Sequence, residues 1–193
     1  MLGKILYLDV ETTGLDATKH AVWQVAVIIE INGEVKERWN GFINPFSSKP
    51  DTELDDYAMK MNKLTREKLE SYPNSKDVLV DFSKMLYKYK DKTDKYDKFT
   101  ICGYNSNFDM KFIEAWYLAN GANHLFSQVH YKDVDVFALV KVLQHLGKID
   151  TGWSQALPVV AKHFNLEHDA HDAMSDIEVT KELLELLERE YLK

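Results

Sequence analysis

The sequence predicts an α/β fold in which a mixed five-stranded sheet, an antiparallel meander followed by parallel strands, carries helices on both faces. Three observations lead there. Two β-rich runs, 22–31 and 34–43, flank Asn32-Gly33, a pair that suits the positive φ angles of a tight type I′ hairpin turn. An apolar run, 4–10, precedes them as a first strand. Downstream, short apolar runs alternate with segments of helical periodicity, the signature of strand–helix units.

The elements follow in order. Residues 54–62 have helical spacing, and Ser75 is placed as the N-cap of a helix carrying Val78, Leu79, Phe82, Leu86 and Tyr89 on one side. Residues 99–104 form a buried strand containing the lone Cys102, which reads as a small core hydrophobe. Residues 107–120 form a helix closed by Gly121, a residue suited to the left-handed position after a helix end. Residues 134–146 begin as a short strand and continue as a helix. Two further helices are expected, at 154–164 and 172–191. The mixed-charge stretch 88–98 reads as a frayed helix end plus a solvated loop.

The length, 193 residues without an internal repeat, suits one domain over 1–193. No apolar run approaches the roughly 20 residues that cross a bilayer, so no membrane partner is expected. The start is too short and too acidic at Asp9 for a signal peptide, and a single cysteine fits a cytoplasmic setting. The net charge of −7, from 24 basic and 31 acidic residues, argues against a protein that wraps a long duplex. It is compatible with a short nucleic-acid footprint if several acids hold cations that themselves face phosphate.

Three motifs place acids where a purely structural role does not require them. In Asp9-Val10-Glu11-Thr12-Thr13-Gly14-Leu15, residues i and i+2 of a strand share a face, so Asp9 and Glu11 project side by side. Two such carboxylates repel unless one is protonated or a hard divalent cation lies between them. In Asn105-Ser106-Asn107-Phe108-Asp109, a strand exits into a helix, and Asp109 falls in the first turn. Strand exits are where ligand sites collect in open α/β sheets. In His171-Asp172-Ala173-Met174-Ser175-Asp176, an acid opens the last helix, and a histidine able to take a proton near neutral pH precedes it by five positions. Taken singly, each has a plain structural alternative: a strand end with a turn, a helix cap, an exposed histidine. His163, His168 and Asp169 raise a zinc site, which is disfavoured because no cysteine and no i, i+4 histidine pair accompanies them.

In this order the motifs resemble those of the DEDD superfamily of 3′–5′ exonucleases, in the DnaQ-like histidine branch that includes RNase T and a polymerase III proofreading subunit. The tyrosine branch would carry Tyr where Asp172 stands. The resemblance runs over nearly the whole chain, and 23–26 looks like the family's second strand, with Gln24 where Glu is more frequent. It implies a ribonuclease H-like fold and hydrolysis at the 3′ end of single-stranded DNA or RNA, with release of nucleoside 5′-monophosphates. It implies two Mg²⁺, replaceable by Mn²⁺, held by Asp9, Glu11, Asp109 and Asp176, with His171 as general base. It also implies substrate contacts from Thr12, Thr13, Gly14, Leu15, Asn105 and Phe108.

Other readings remain. The same fold serves non-catalytic nucleic-acid-binding modules and endonucleases or integrases. A homodimer or a polymerase partner is compatible with the sequence, although a chain ending at Lys193, just past the last helix, fits a stand-alone nuclease better than a proofreading subunit. DNA and RNA are not distinguished.

Overall fold

A computed structural model describes residues 3–168 and 172–192. Five strands form one sheet in the order β3-β2-β1-β4-β5: β1 (Lys4–Thr12), β2 (Val22–Ile31), β3 (Glu34–Phe42), β4 (Thr100–Gly103) and β5 (Val134–Asp135). The first three pair antiparallel, and β4 and β5 join parallel, so the expected mixed sheet is present. Asn32 and Gly33 take φ of 53° and 83°, the positive angles that a tight β2–β3 turn requires.

The helices are α1 (Asp56–Met61), α2 (Arg66–Glu70), α3 (Ser75–Lys88), α4 (Ser106–Ala119), α5 (Leu125–Gln128), α6 (Val136–His145), α7 (Leu157–His163) and α8 (Ala173–Tyr191). Alternation along β1 sorts the core into two layers. Leu6, Leu8 and Val10 face α3 and α4 through Phe82, Phe112 and Trp116. Ile5 and Tyr7 face α6 and α8 through Val140, Ile177 and Leu183. Both layers exclude water, which is why β2 is buried on both sides over most of its length. Cys102 is buried in the second layer, as its apolar setting suggested. Among the described residues no helix is long and apolar enough to cross a membrane.

Several details differ from the sequence reading. The cap of α3 is Asn74, whose side chain accepts from the Lys76 N–H. Ser75 instead lies inside the helix, its buried hydroxyl meeting the Trp116 indole N–H and the Asn120 amide, each at 2.9 Å. A serine in the interior can serve tertiary packing rather than capping, and local sequence does not separate the two. The helix expected from 154 begins at Leu157, because Pro158 fits only the first turn. The α2 helix, five residues capped by Thr65, was not foreseen, being too short to show periodicity.

Candidate active site

The odd-numbered face of β1 supplies the first two acids. Beyond Ile5 and Tyr7, which pack in the α8 layer, the same face carries Asp9 and Glu11 at the end of the strand. Asp176 reaches them from the first turn of α8, a helix capped by Asp172, whose carboxylate accepts from the Ser175 N–H at 3.0 Å. One carboxylate oxygen from each of Asp9, Glu11 and Asp176 lies within 4.8 Å of the others.

Asp109 arrives from the other side of the sheet. Pairing between β1 and β4 ends at Tyr7 and Cys102, so the Val10 N–H has no β4 partner, and it donates to Asp109 Oδ1 at 3.1 Å. Gly103 permits this close crossing: a Cβ there would come 3.0 Å from the Leu8 carbonyl oxygen and 3.2 Å from Ser106 Cβ. The left-handed Asn105, with φ of 66°, turns the chain from β4 into α4, and its N–H donates to the Asp135 carboxylate at 2.9 Å.

The charges are held uncomfortably. Burial first, and then the repulsion of Asp109, Asp176, Glu11 and Asp172, pushes the Asp9 carboxyl well above its usual range. Burial and the neighbouring Asp176 push Glu11 up to about 7, against the opposing hydrogen bond with Asn62. Burial likewise raises Asp109, partly offset by the Val10 N–H. Asp9 and Glu11 are nonetheless only half-buried, so an ion from solvent can reach them. Such a donor set, oxygen-only and short of positive charge, fits a hard divalent cation.

The residues named from sequence divide into groups. Asp9, Glu11, Asp109 and Asp176 converge as expected, whereas His171 lies outside the described residues, as does Asp169. Thr12 and Thr13 are buried; the Thr12 hydroxyl donates to the Gly14 carbonyl and the Thr13 hydroxyl to that of Glu53. The Thr13 N–H donates to Ala21 and its carbonyl accepts from Asp55, so any ligand there must share those groups. Gly14 lies against the His20 ring, 2.3 Å from where a Cβ would stand. Leu15 is 83% exposed at the rim, while the half-buried Phe108 packs on Phe112.

Further groups join the site that the motifs did not single out. His168 Nε2 lies 2.5 Å from Asp176 Oδ1, within hydrogen-bond reach. Gln24 reaches Asn40 at 3.1 Å and Asp172 at 3.4 Å, tying β3 and the α8 cap to the strand beside Glu11. A glutamate there would add one more charge to the cluster. Strand alternation could have found Gln24, and the cap spacing Asp172; nothing local marks Asn62, which ends α1 far along the chain.

A family model described as an exonuclease (RNase T type) matches residues 6–184, and the chain belongs to that exonuclease family. It is 27% identical over 183 residues to DNA polymerase III PolC-type of Pediococcus pentosaceus, covering 94% of this chain and 11% of the relative. It is 28% identical over 184 residues to the PolC-type polymerase of Latilactobacillus sakei, with the same coverage of each. The chain therefore spans about a tenth of the length of these relatives. Its fold superimposes on E. coli exonuclease I in complex with a dT13 oligonucleotide with a TM-score of 0.79 at 19% identity, over 97% of this chain and 41% of the other. A second exonuclease I structure gives a TM-score of 0.80 at 19% identity, over 99% and 42%.

Proposed function

We propose that the chain forms one exonuclease domain that hydrolyses the terminal phosphodiester at the 3′ end of single-stranded DNA or RNA. The observation that carries this reading is the meeting of carboxylates from β1, α4 and α8 in a site where burial and mutual repulsion hold Asp9 and Glu11 above their ordinary titration. Asp9, Glu11 and Asp176 would hold divalent cations, with Asp109 assisting directly or through water. Two Mg²⁺ best suit an all-carboxylate set, and bound cations polarise the phosphate and ease deprotonation of water.

The chain's own groups do the rest. His171, five positions before Asp176 in sequence, is assigned as the base that takes a proton from the attacking water. Water oxygen bonds to phosphorus, the P–O3′ bond breaks, and the 3′ oxygen leaves with a proton. The products are a nucleoside 5′-monophosphate and a strand shorter by one residue. The exposed Leu15 is offered to the terminal base, and Asn105 and Phe108 frame the pocket from the start of α4. His168 orients Asp176 through their short contact.

A polymerase partner finds support in the similarity to PolC-type polymerases, each matched over a tenth of its length. The test incubates the protein with Mg²⁺ and a 3′-labelled single strand, in DNA and RNA forms. Labelled mononucleotide that disappears with EDTA and returns with Mg²⁺ is the expected result. Internal cuts would make the chain an endonuclease, and binding without release would make it a non-catalytic module.

A further inference from the structure

The row of paired residues that contains Glu11 continues across the sheet. Glu11 stands opposite Gln24, and Gln24 opposite Phe42, so the three share one face. At ~4.8 Å between neighbouring strands, Phe42 lies roughly 10 Å from Glu11. The pairing of β1 and β2 skips Trp23, which becomes the extra residue of a bulge.

A bulge can re-aim a side chain, and Trp23 meets Phe42 and Tyr72. The ring centroids are 6.4 Å apart for Trp23–Phe42, 5.2 Å for Phe42–Tyr72 and 6.3 Å for Trp23–Tyr72, with planes within 29° of parallel. Three rings in a column would place the outer pair at about twice the neighbour distance. These three instead form a compact triangle of offset, overlapping rings, with part of Phe42 left facing solvent. Trp23 is buried beneath, its indole N–H without an acceptor among the described residues, so packing rather than a hydrogen bond sets its position. Phe42 is 38% exposed and Tyr72 half-buried. Lys68 Nζ lies 5.3 Å from the Tyr72 centroid and makes no ion pair among the described residues. An aromatic cluster edged by a lysine held against one of its rings matches the needs of single-stranded nucleic acid: planes for bases and a charge for the phosphate between them. In a protein of net charge −7, that pairing beside an acidic centre is a specific local feature.

We infer that Phe42 and Tyr72, backed by Trp23, form a stacking platform for nucleotides upstream of the scissile bond, with Lys68 on their phosphates. The inference rests on the exonuclease reading and specifies where the body of the strand lies. At ~3.4 Å per stacked nucleotide, roughly 10 Å places the platform about three nucleotides from the terminus. A dinucleotide falls short of it and an octamer covers it.

The full chain and its Phe42→Ala, Tyr72→Ala, Phe42→Trp and Lys68→Gln variants are compared on thymidine octamer and dinucleotide, by kcat/KM with Mg²⁺ and by fluorescence anisotropy in EDTA. The octamer-to-dinucleotide ratio of kcat/KM should fall about fivefold or more in the alanine variants and hold in Phe42→Trp. Lys68→Gln should lower octamer affinity and flatten its salt dependence. An unchanged ratio, or equal losses on both substrates, overturns the platform. Octamer binding without nucleotide release refutes the exonuclease reading instead, and the platform is then decided by anisotropy of the variants alone.

Discussion

Glu11→Gln keeps the size and hydrogen-bonding capacity of the side chain and removes one charge from the cluster. Burial and Asp176 hold the Glu11 carboxyl up to about 7 against an ordinary 4.5. The folded protein thus holds this proton more tightly than the unfolded chain does. The group's stabilising contribution is complete below pH ~4.5, is lost as pH rises to about 7, and changes no further above that. The interval of 7 − 4.5, about 2.5 pH units at ~1.4 kcal/mol each, corresponds to roughly 3 kcal/mol. Because solvent reaches the half-buried carboxylate, about 2–3 kcal/mol is the working value. For 193 residues that becomes roughly 5–10 °C in Tm. Urea and thermal unfolding in EDTA should show Glu11→Gln more stable than wild type by this amount at pH 8, with the gap closing towards pH 4.5. Excess Mg²⁺ should reverse the order at pH 8, because an ion that binds only the folded state stabilises the protein able to hold it. A gap independent of pH, or a variant less stable at pH 8 without metal, would mean that protein groups already satisfy the carboxylate, and the cation-site argument would fail.

The other expectations are briefer. Asp9→Asn should abolish mononucleotide release while its metal-free unfolding midpoint holds or rises; a large drop would make Asp9 structural. His171→Ala should fold normally yet slow the chemical step by about two to four orders of magnitude in single-turnover assays, and near-normal turnover would remove it as the base. Gly103→Ala must push β1 and the start of α4 apart, since its Cβ would stand 3.0 Å from the Leu8 carbonyl. It should cost about 1–3 kcal/mol in urea unfolding and at least roughly tenfold in kcat, by separating Asp109 from Asp9. Full activity there would show that this crossing does not set the site geometry.

Much of the fold was legible because its signals are local. The Asn32-Gly33 turn, the apolar strands and the spacing along α3 and α8 each involve residues near in sequence, and all appear as expected. Helix starts were less legible, since Ser75 and Asn74 are both competent caps and only the packing of Trp116 and Asn120 on the Ser75 hydroxyl distinguishes them. The carboxylates were legible for a similar reason. Alternation puts Asp9 beside Glu11, and the remaining acids open helices at Asp109 and Asp176.

What the sequence determined alone is therefore where to look: four acids in three motifs, each on an element whose periodicity can be read. Only the tertiary structure decided how they share space. It brought Asp109 through the end of β4 to the Val10 N–H, set Asn62 against Glu11 and His168 against Asp176, and extended the Glu11 row through Gln24 to Phe42. Most of those contacts join elements distant along the chain, and their energies depend on burial and on neighbouring charge. Neither quantity exists until the sheet and its two helical layers have closed.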